Sequence, residues 1–475
     1  MKKEYKAHPL MMFTFIRPFL IILLIPVLRG LIQYMRNKEI TPILGAEMLL
    51  FCIILAFGIL RWRAFRLICD QKTVTVKTGV IWIKNAVIPI SGLSSIQSEQ
   101  TPIDYIFGSV TFRINTEAGS RNRTDYSFKI SKKDGREVSD FLYGKKKTEP
   151  VKFSAFKIAL LAAATSSSFA GMLVGVPILN NAAKLLGVGF NEVLNEINSV
   201  SGKFQTYFPP IVNSITLVLL IGYIISFVYS FLRNLQFRVF LDNDRMEVRS
   251  GFFVKLRTAF KRASVNNVKI EQTFLMLVLR RYSLKVNVGG YGESKSESQV
   301  LVPSGRYSEI KELFSDYFPF LTPKARILKS KVGLIHKNRY LFWAEIYFLL
   351  LGVAAIITGQ IFQEFGRFIA FTTFVLGCVI FYYAYLCLCE YNRGMVRFGK
   401  TVFVSGMKGL RRCQLYCPKE RIGEIKLMRF LPDLYFKTCN VKITIRSETA
   451  ENMTLRHIDF DQVKEAIYKC YDIKE

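Results

Sequence analysis

The feature that most constrains this chain is a spaced set of apolar and glycine positions between Phe65 and Ile114 that returns twice. Within it Val74 and Val76 alternate into a turn at Thr78-Gly79, Ile88-Pro89-Ile90 follows, and Ile96 and Gln100 lead to Phe107-Gly108 and a second alternation, Val110, Phe112, Ile114. The step that takes Gly79 to Gly251 takes, without a gap, Val76 to Val248, Ile96 to Val268, Gln100 to Gln272, Phe112 to Leu284 and Ile114 to Val286. The third copy is looser. Gly406 answers Gly251, and after a slip Ile425 falls under Val268, with Val441, Ile443 and Ile445 under Leu284, Val286 and Val288. Repetition on this scale means one structural unit used three times.

Period-two alternation broken by turns predicts short strands in each copy, and each copy closes on a helical pattern. The closing positions are Val138, Phe141 and Leu142; Ile310, Leu313, Phe314 and Tyr317; and Val463, Ala466, Ile467 and Cys470. A helix laid across the open end of a bent sheet covers apolar surface that short strands leave bare.

Long apolar runs separate the copies. The sequence has 51% hydrophobic residues, yet 66 Lys and Arg against 36 Asp and Glu leave a formal net charge of +30. That combination points to a membrane protein with basic loops and away from nucleic-acid binding, which gives no reason for long uncharged stretches. The runs predict six spans in three hairpins, within residues 10–63, 155–232 and 338–390. Each hairpin precedes a strand-rich domain, at 64–147, 233–320 and 391–475. The expected fold class is therefore a membrane α-helical protein carrying three α+β rolls, each capped by a C-terminal helix. The Lys and Arg bias of the long loops places both termini and all three rolls on the cytoplasmic side of the membrane. The link at 180–210, with Phe190, Val193, Leu194 and Ile197 at helical spacing, reads either as an amphipathic helix on the outer leaflet or as a packing helix.

The glycine turn, Ile88-Pro89-Ile90, Ile96-Gln97 and Gln100 before Phe107-Gly108 resemble the bacterial pleckstrin-homology-like (PH-like) domain. Three such domains behind hairpins are similar to the YdbT-like family of bacterial membrane proteins, whose shorter partner, YdbS, carries one. The second copy departs from the pattern at Lys261 in place of Pro89 and at Arg280 in place of Gly108. The resemblance implies a bent β-roll with a helical cap, no catalytic residues, a smaller PH-like membrane partner protein, and an accessory role in resistance to membrane-active peptides and bacteriocins. Gly79, Pro89, Gln100, Gly108, Gly251, Gln272 and Gly406 are then structural markers of the repeat.

No constellation for chemistry stands out. His8, His336 and His457 are scattered, and Cys413, Cys417 and Cys439 fall one ligand short of a structural zinc site. The run Gly289-Gly290-Tyr291-Gly292 lacks the Lys and helix of a phosphate loop and reads as a hairpin turn. Glu345 and Glu47 are the acidic residues of the spans, and Glu345 lies near Arg339 at the inner interface. Thr165-Ser166-Ser167-Ser168 reads as a helix-crossing surface, or, in a transporter subunit driven by a separate ATPase, as part of a substrate path. The expectation is a non-enzymatic protein without cofactor, catalytic residues or metal. Its candidate binding site is a basic patch facing the membrane lipids, formed by Arg257, Lys261 and Arg262 in the second copy and Arg411 and Arg412 in the third.

Overall fold

The protein is seen in a computed structural model. The structure describes residues 3–17, 19, 35, 42–116, 126–143, 149–166, 210–242, 244–288, 298–321, 327–329, 334–446 and 451–472. From the helix before its second strand onward, each of the three copies is built from the same elements in the same order. The first begins with β1 (Lys3–Lys6), passes through helix α1 (Pro42–Ala64), and continues with β2 (Arg66–Cys69), β3 (Thr73–Thr78) and β4 (Lys84–Pro89). A 3-10 turn at Ile90–Gly92 leads to β5 (Leu93–Gln100), the short helix α2 (Pro102–Ile106), β6 (Ser109–Thr116), β7 (Tyr126–Ser131) and the closing helix α3 (Lys132–Tyr143). The strand before the apolar segment pairs with the strand after it, Lys3 opposite Cys69 and Lys6 opposite Arg66, so the segment leaves from and returns to one sheet.

The second copy runs β8 (Val151–Lys152), α4 (Ala155–Thr165), α5 (Pro210–Asn234), β9 (Arg238–Leu241), β10 (Arg245–Ser250) and β11 (Lys255–Lys261). After a 3-10 turn come β12 (Val265–Gln272), α6 (Phe274–Val278), β13 (Tyr282–Val288), β14 (Gln299–Gly305) and α7 (Tyr307–Phe314). The third has β15 (Leu328–Lys329), α8 (Leu334–Ile361), α9 (Gly366–Arg393), β16 (Met395–Arg397), β17 (Thr401–Lys408) and β18 (Arg411–Pro418). Another 3-10 turn precedes β19 (Ile422–Met428), α10 (Leu431–Tyr435), β20 (Thr438–Ile445), β21 (Glu451–Asp459) and α11 (Phe460–Tyr471).

Alternation fixes which side chains fill each roll. In the first, Leu67, Val74 and Val76 meet Phe112, Ile114, Phe128 and Ile130, and α3 closes the core with Val138 and Leu142. Phe112 and Phe128 stack with ring centroids 6.0 Å apart. The third roll is filled likewise by Val402, Val404, Leu415, Val441, Ile443 and Leu455, with Val463 of α11 fully buried. In the second copy Ile310 and Phe314 of α7 are fully buried.

The sheets run across copy boundaries. One seven-stranded sheet has the order β7-β6-β5-β11-β10-β9-β8 and another β14-β13-β12-β18-β17-β16-β15, flanked in sequence by a four-stranded sheet, β1-β2-β3-β4, and a three-stranded one, β19-β20-β21. Two compact units result: residues 1–151 with 238–264 and 288–297, and residues 152–237 with 265–287 and 298–475. Strands β9, β10 and β11 of the second copy thus belong with the first copy, whereas its helices α4 and α5 and its elements from β12 onward belong with the third.

The expected six-span architecture is corrected by these elements. Among the described residues two helices are long and apolar enough to cross a membrane, His336–Ile361 and Gln363–Arg393, and antiparallel sheet dominates the rest. The apolar run ending at Tyr34 and the link at 180–210 fall outside the described residues, as does most of 18–41. Helix α4 has 11 residues, about 16 Å of rise where a hydrocarbon core needs about 30 Å. Its Leu160 and Leu161 pack on Met276 of α6, which spends its apolar face inside the protein. Within α5 the apolar stretch Val218–Asn234 is likewise shorter than such a span.

Most of the repeat markers sit at equivalent, backbone-demanding positions. Gly79 and Gly251 turn the chain at φ 110° and 105°, and a Cβ at Gly79 would run into the Trp82 carbonyl oxygen. Gln100 donates its side-chain amide to the Ser109 carbonyl at 3.3 Å, and Gln272 donates to the Arg281 carbonyl at 3.0 Å. Gly406 is a correction: it lies inside β17 opposite Cys413, and the turn that answers Gly251 is made by Gly409 at φ 59°. Pro89 ends β4, directly before the 3-10 turn.

Candidate membrane-facing site

The short helix between the fifth and sixth strand of each copy is where the roll meets its surroundings. In α2 the carboxylate of Asp104 turns inward and is fully buried. Thr101 caps the helix by accepting from the Asp104 amide at 3.2 Å, Ser109 Oγ donates to Asp104 Oδ1 at 2.6 Å, and Lys129 Nζ reaches the same oxygen at 2.6 Å. Burial alone raises a carboxyl, but these donors outweigh it and hold Asp104 below its usual value. In α10 Asp433 has the same place. It accepts from the Phe430 amide at 3.0 Å and from Thr438 Oγ1 at 2.8 Å, and it is bound by the guanidinium of Arg339 on α8. The third copy therefore takes its cation from the long apolar helix α8. In α6 the position is Met276, buried against α4.

Anchoring one residue of a one-turn helix inward forces its neighbours out. Ile103, Tyr105 and Ile106 are 61, 60 and 76% exposed, Phe274 and Val278 are 56 and 62% exposed, and Leu431 and Tyr435 are 84 and 83% exposed. Large apolar side chains in such clusters mark a site of contact, since isolated ones are common and clusters are not. Each cluster has cations beside it: Lys132 Nζ lies 4.7 Å from the Tyr105 ring centroid, and next after the C-caps of α6 and α10, Leu279 and Phe436, come Arg280 and Lys437. Both take positive φ, 52° and 51°, where the first copy has Gly108 at 69°. The left-handed residue ends the short helix and starts the next strand in all three copies.

Contacts to α9 fix the level of this surface in the second unit. The Phe274 ring packs edge-on against Tyr382 of α9, centroids 4.9 Å apart, and Tyr382 Oη donates to the Leu410 carbonyl at 3.2 Å. Tyr382 is about 16 Å along the helix from its end at Arg393, within the apolar span Gln363–Arg393. The roll is also bolted to that hairpin lower down. Arg456 donates to Glu390 at 2.6 Å, and Tyr340 Oη donates to the Arg456 carbonyl.

The basic positions singled out in the sequence fall elsewhere, along the seams between copies. Arg257 bonds Glu247 at 2.6 Å and also donates to Ser139, and Lys261 donates to the Ile90 carbonyl at 3.2 Å and to the Ser91 carbonyl. Arg411 is 3.7 Å from Glu271, and Arg412 is 3.5 Å from the Gln272 side chain. Arg262 lies half-buried in the 3-10 turn after β11. Cys413, Cys417 and Cys439 lie in the apolar core of the third roll, where burial pushes each thiol up to about 12. Thr165 hydrogen-bonds the Leu161 carbonyl at 2.9 Å and contacts Ser230 at 3.2 Å, the contact expected of a helix crossing; Ser167 and Ser168 lie outside the described residues, as do Gly289 to Gly292.

A family model described as Bacterial PH domain matches residues 16–146 and 184–316, more than half of the sequence. The chain belongs to the bacterial PH domain family. Neither the curated proteins nor the solved structures hold a match to it. In this bacterial PH protein the two matched segments cover the first copy and most of the second, and the third copy shares their element order. The exposed short helices had a visible signal in Pro102-Ile103-Asp104-Tyr105-Ile106-Phe107, Phe274-Leu275-Met276-Leu277-Val278 and Leu431-Pro432-Asp433-Leu434-Tyr435. Apolar residues crowd a segment between strands, where a solvent-facing turn would be polar.

Proposed function

We propose that this protein is a non-enzymatic, membrane-attached scaffold whose PH-like rolls rest on the bilayer crossed by His336–Ile361 and Gln363–Arg393. The packing of Phe274 on Tyr382 carries the reading, because it puts one exposed short helix beside an apolar span. Clustered aromatic and aliphatic residues with adjacent Lys and Arg suit the boundary between headgroups and acyl chains. By the Lys and Arg bias of the loops the rolls occupy the cytoplasmic side. A fluorophore on Leu431→Cys and on Ile106→Cys, in the full chain reconstituted into vesicles, tests this with quenchers fixed at headgroup depth in the lipid. Strong quenching at both, absent at an exposed control such as Lys469→Cys, is the expected result. Quenching equal to the control at both positions would remove the reading.

The finer proposal is protection of that membrane against membrane-active peptides, in company with a smaller protein of the same type. The YdbT-like spacing of the repeat supports it. A deletion strain should be selectively sensitised across a panel of such peptides and rescued by the restored gene. An unchanged response with expression verified counts against it.

A further inference from the structure

The three copies use one strand-edge contact twice, and the chain carries both halves of a third. At the first seam β5 pairs antiparallel with β11, Ile96 opposite Ala259 and Gln97 opposite Thr258. At the second β12 pairs antiparallel with β18, Val268 opposite Tyr416 and Lys269 opposite Leu415. Since Ile96 answers Val268 and the 3-10 turns before the strands align, Ala259 answers Tyr416, and the two seams share one register. Each seam joins the first strand of one copy's three-stranded half to the fourth strand of the next copy.

The fourth strand of the first copy, β4, and the first strand of the third copy's three-stranded half, β19, are the counterparts of the strands that meet at those seams, and no seam is made at either among the described residues. Thus β4 forms one edge of its sheet and β19 one edge of its own, with no partner strand beyond them among the described residues. Burial shows what is missing. Ile96 and Ala259 are each 7% exposed and Val268 and Tyr416 are 0 and 2% exposed, whereas Val87, which answers Ala259, is 63% exposed. Every residue of β12 is buried, but none of the equivalent β19 is. An open edge of this length, with apolar side chains along it, is a template for another strand.

We propose that the protein assembles head to tail, with β19 of one copy pairing antiparallel with β4 of a second copy in the register of the internal seams. That register sets Ile425 opposite Val87, Lys426 opposite Ala86 and Leu427 opposite Asn85. A second copy of this chain is the occupant the structure favours, because the edges are unlike each other and each matches a seam already made within the chain. A contact between unlike surfaces closes into a ring or continues as a filament.

Cysteine cross-linking of the full chain in membranes tests this, in a background where the exposed Cys52 and Cys378 are replaced by Ser. Chains carrying Val87→Cys and chains carrying Ile425→Cys, differently tagged and co-expressed, should give a mixed dimer on mild oxidation. The doubly substituted chain should give a ladder. Pairing Asn85→Cys with Ile425→Cys, which breaks the register, should lower the yield at least tenfold. A second measurement guards against a poorly folded variant. The parent complex in mild detergent should exceed one chain in mass, and Val87→Pro, which removes a donor that faces away from β3 at the open edge, should reduce it to one chain with an unchanged circular dichroism spectrum. Equal yields in and out of register, a bond confined to a single chain, or a parent complex of one chain would each overturn the proposal.

Discussion

The guanidinium of Arg339, on a helix long and apolar enough to cross the membrane, binds the buried carboxylate of Asp433 in the third roll. Position and charge are thereby shared between the two, and neither residue keeps its environment without the other. Arg339→Leu leaves a buried acid short of its cation and should lower stability by about 3 kcal/mol. Adding Asp433→Met, the residue type found at this place in the second copy as Met276, should recover most of the loss. Thermal unfolding of the three variants in one detergent measures both effects, and equal midpoints for the single and double variants would contradict the argument.

The same carboxylate faces His457, whose Nδ1 is 3.3 Å from Asp433 Oδ1. Burial, reinforced by the nearby Arg339 charge, lowers the imidazole from 6.5 to about 4. Below pH 6.5 the unfolded chain therefore takes up a proton that the folded one refuses, so stability is lost as pH falls from 6.5 towards 4. The full loss is about 3 kcal/mol for a shift of this size. His457→Asn, which tolerates the φ of 55° at this position, should flatten the curve in that window. Asp433 and Asp104, held low, contribute stability above the ordinary carboxylate range that is lost only at still lower pH. Parallel unfolding curves for the variant and the parent between pH 6.5 and 4 would show that His457 is not the group responsible.

The left-handed residue after each short helix predicts opposite effects for opposite substitutions. Arg280→Gly should stabilise by about 0.5–1 kcal/mol, because a side chain at φ 52° is strained. Gly108→Arg should destabilise by a similar amount. Chemical unfolding of each variant reads the sign directly.

Phe112→Ala tests the core of the first roll. The ring is 1% exposed and stacked on Phe128, so its removal should cost about 3–5 kcal/mol. A loss below about 1 kcal/mol would mean that the roll is not packed around this ring.

The sequence was most informative where side chains carry the signal. Alternation placed Phe112, Ile114, Val441 and Ile443 in cores, and the spacing of Val138 and Leu142, or of Ile310 and Phe314, identified the closing helices. The seams were illegible because an edge-to-edge pairing is made by backbone groups that every residue has. The basic residues Arg257 and Lys261 looked like a surface for lipid because sequence shows charge but not the acceptors, Glu247, Ser139 and the Ile90 carbonyl, that meet it. Hydropathy overreached in the same way. Leu160 and Leu161 fall in a run whose hydropathy predicts a span, and they pack on Met276. Gly406 was assigned to a turn on spacing alone, whereas the backbone turns at Gly409.

The first seam also sets a timetable for synthesis. Strand β5 ends at Gln100, and its neighbour β11 begins at Lys255. At roughly 5–20 residues per second a ribosome needs on the order of ten to thirty seconds to deliver that neighbour. Through that interval the nascent chain holds a finished strand whose outer hydrogen bonds have nothing of their own to meet. Translation speed across the stretch between them, or a chaperone that shields the edge, therefore governs how much of the protein reaches its native pairing instead of joining the edge of another unfinished chain.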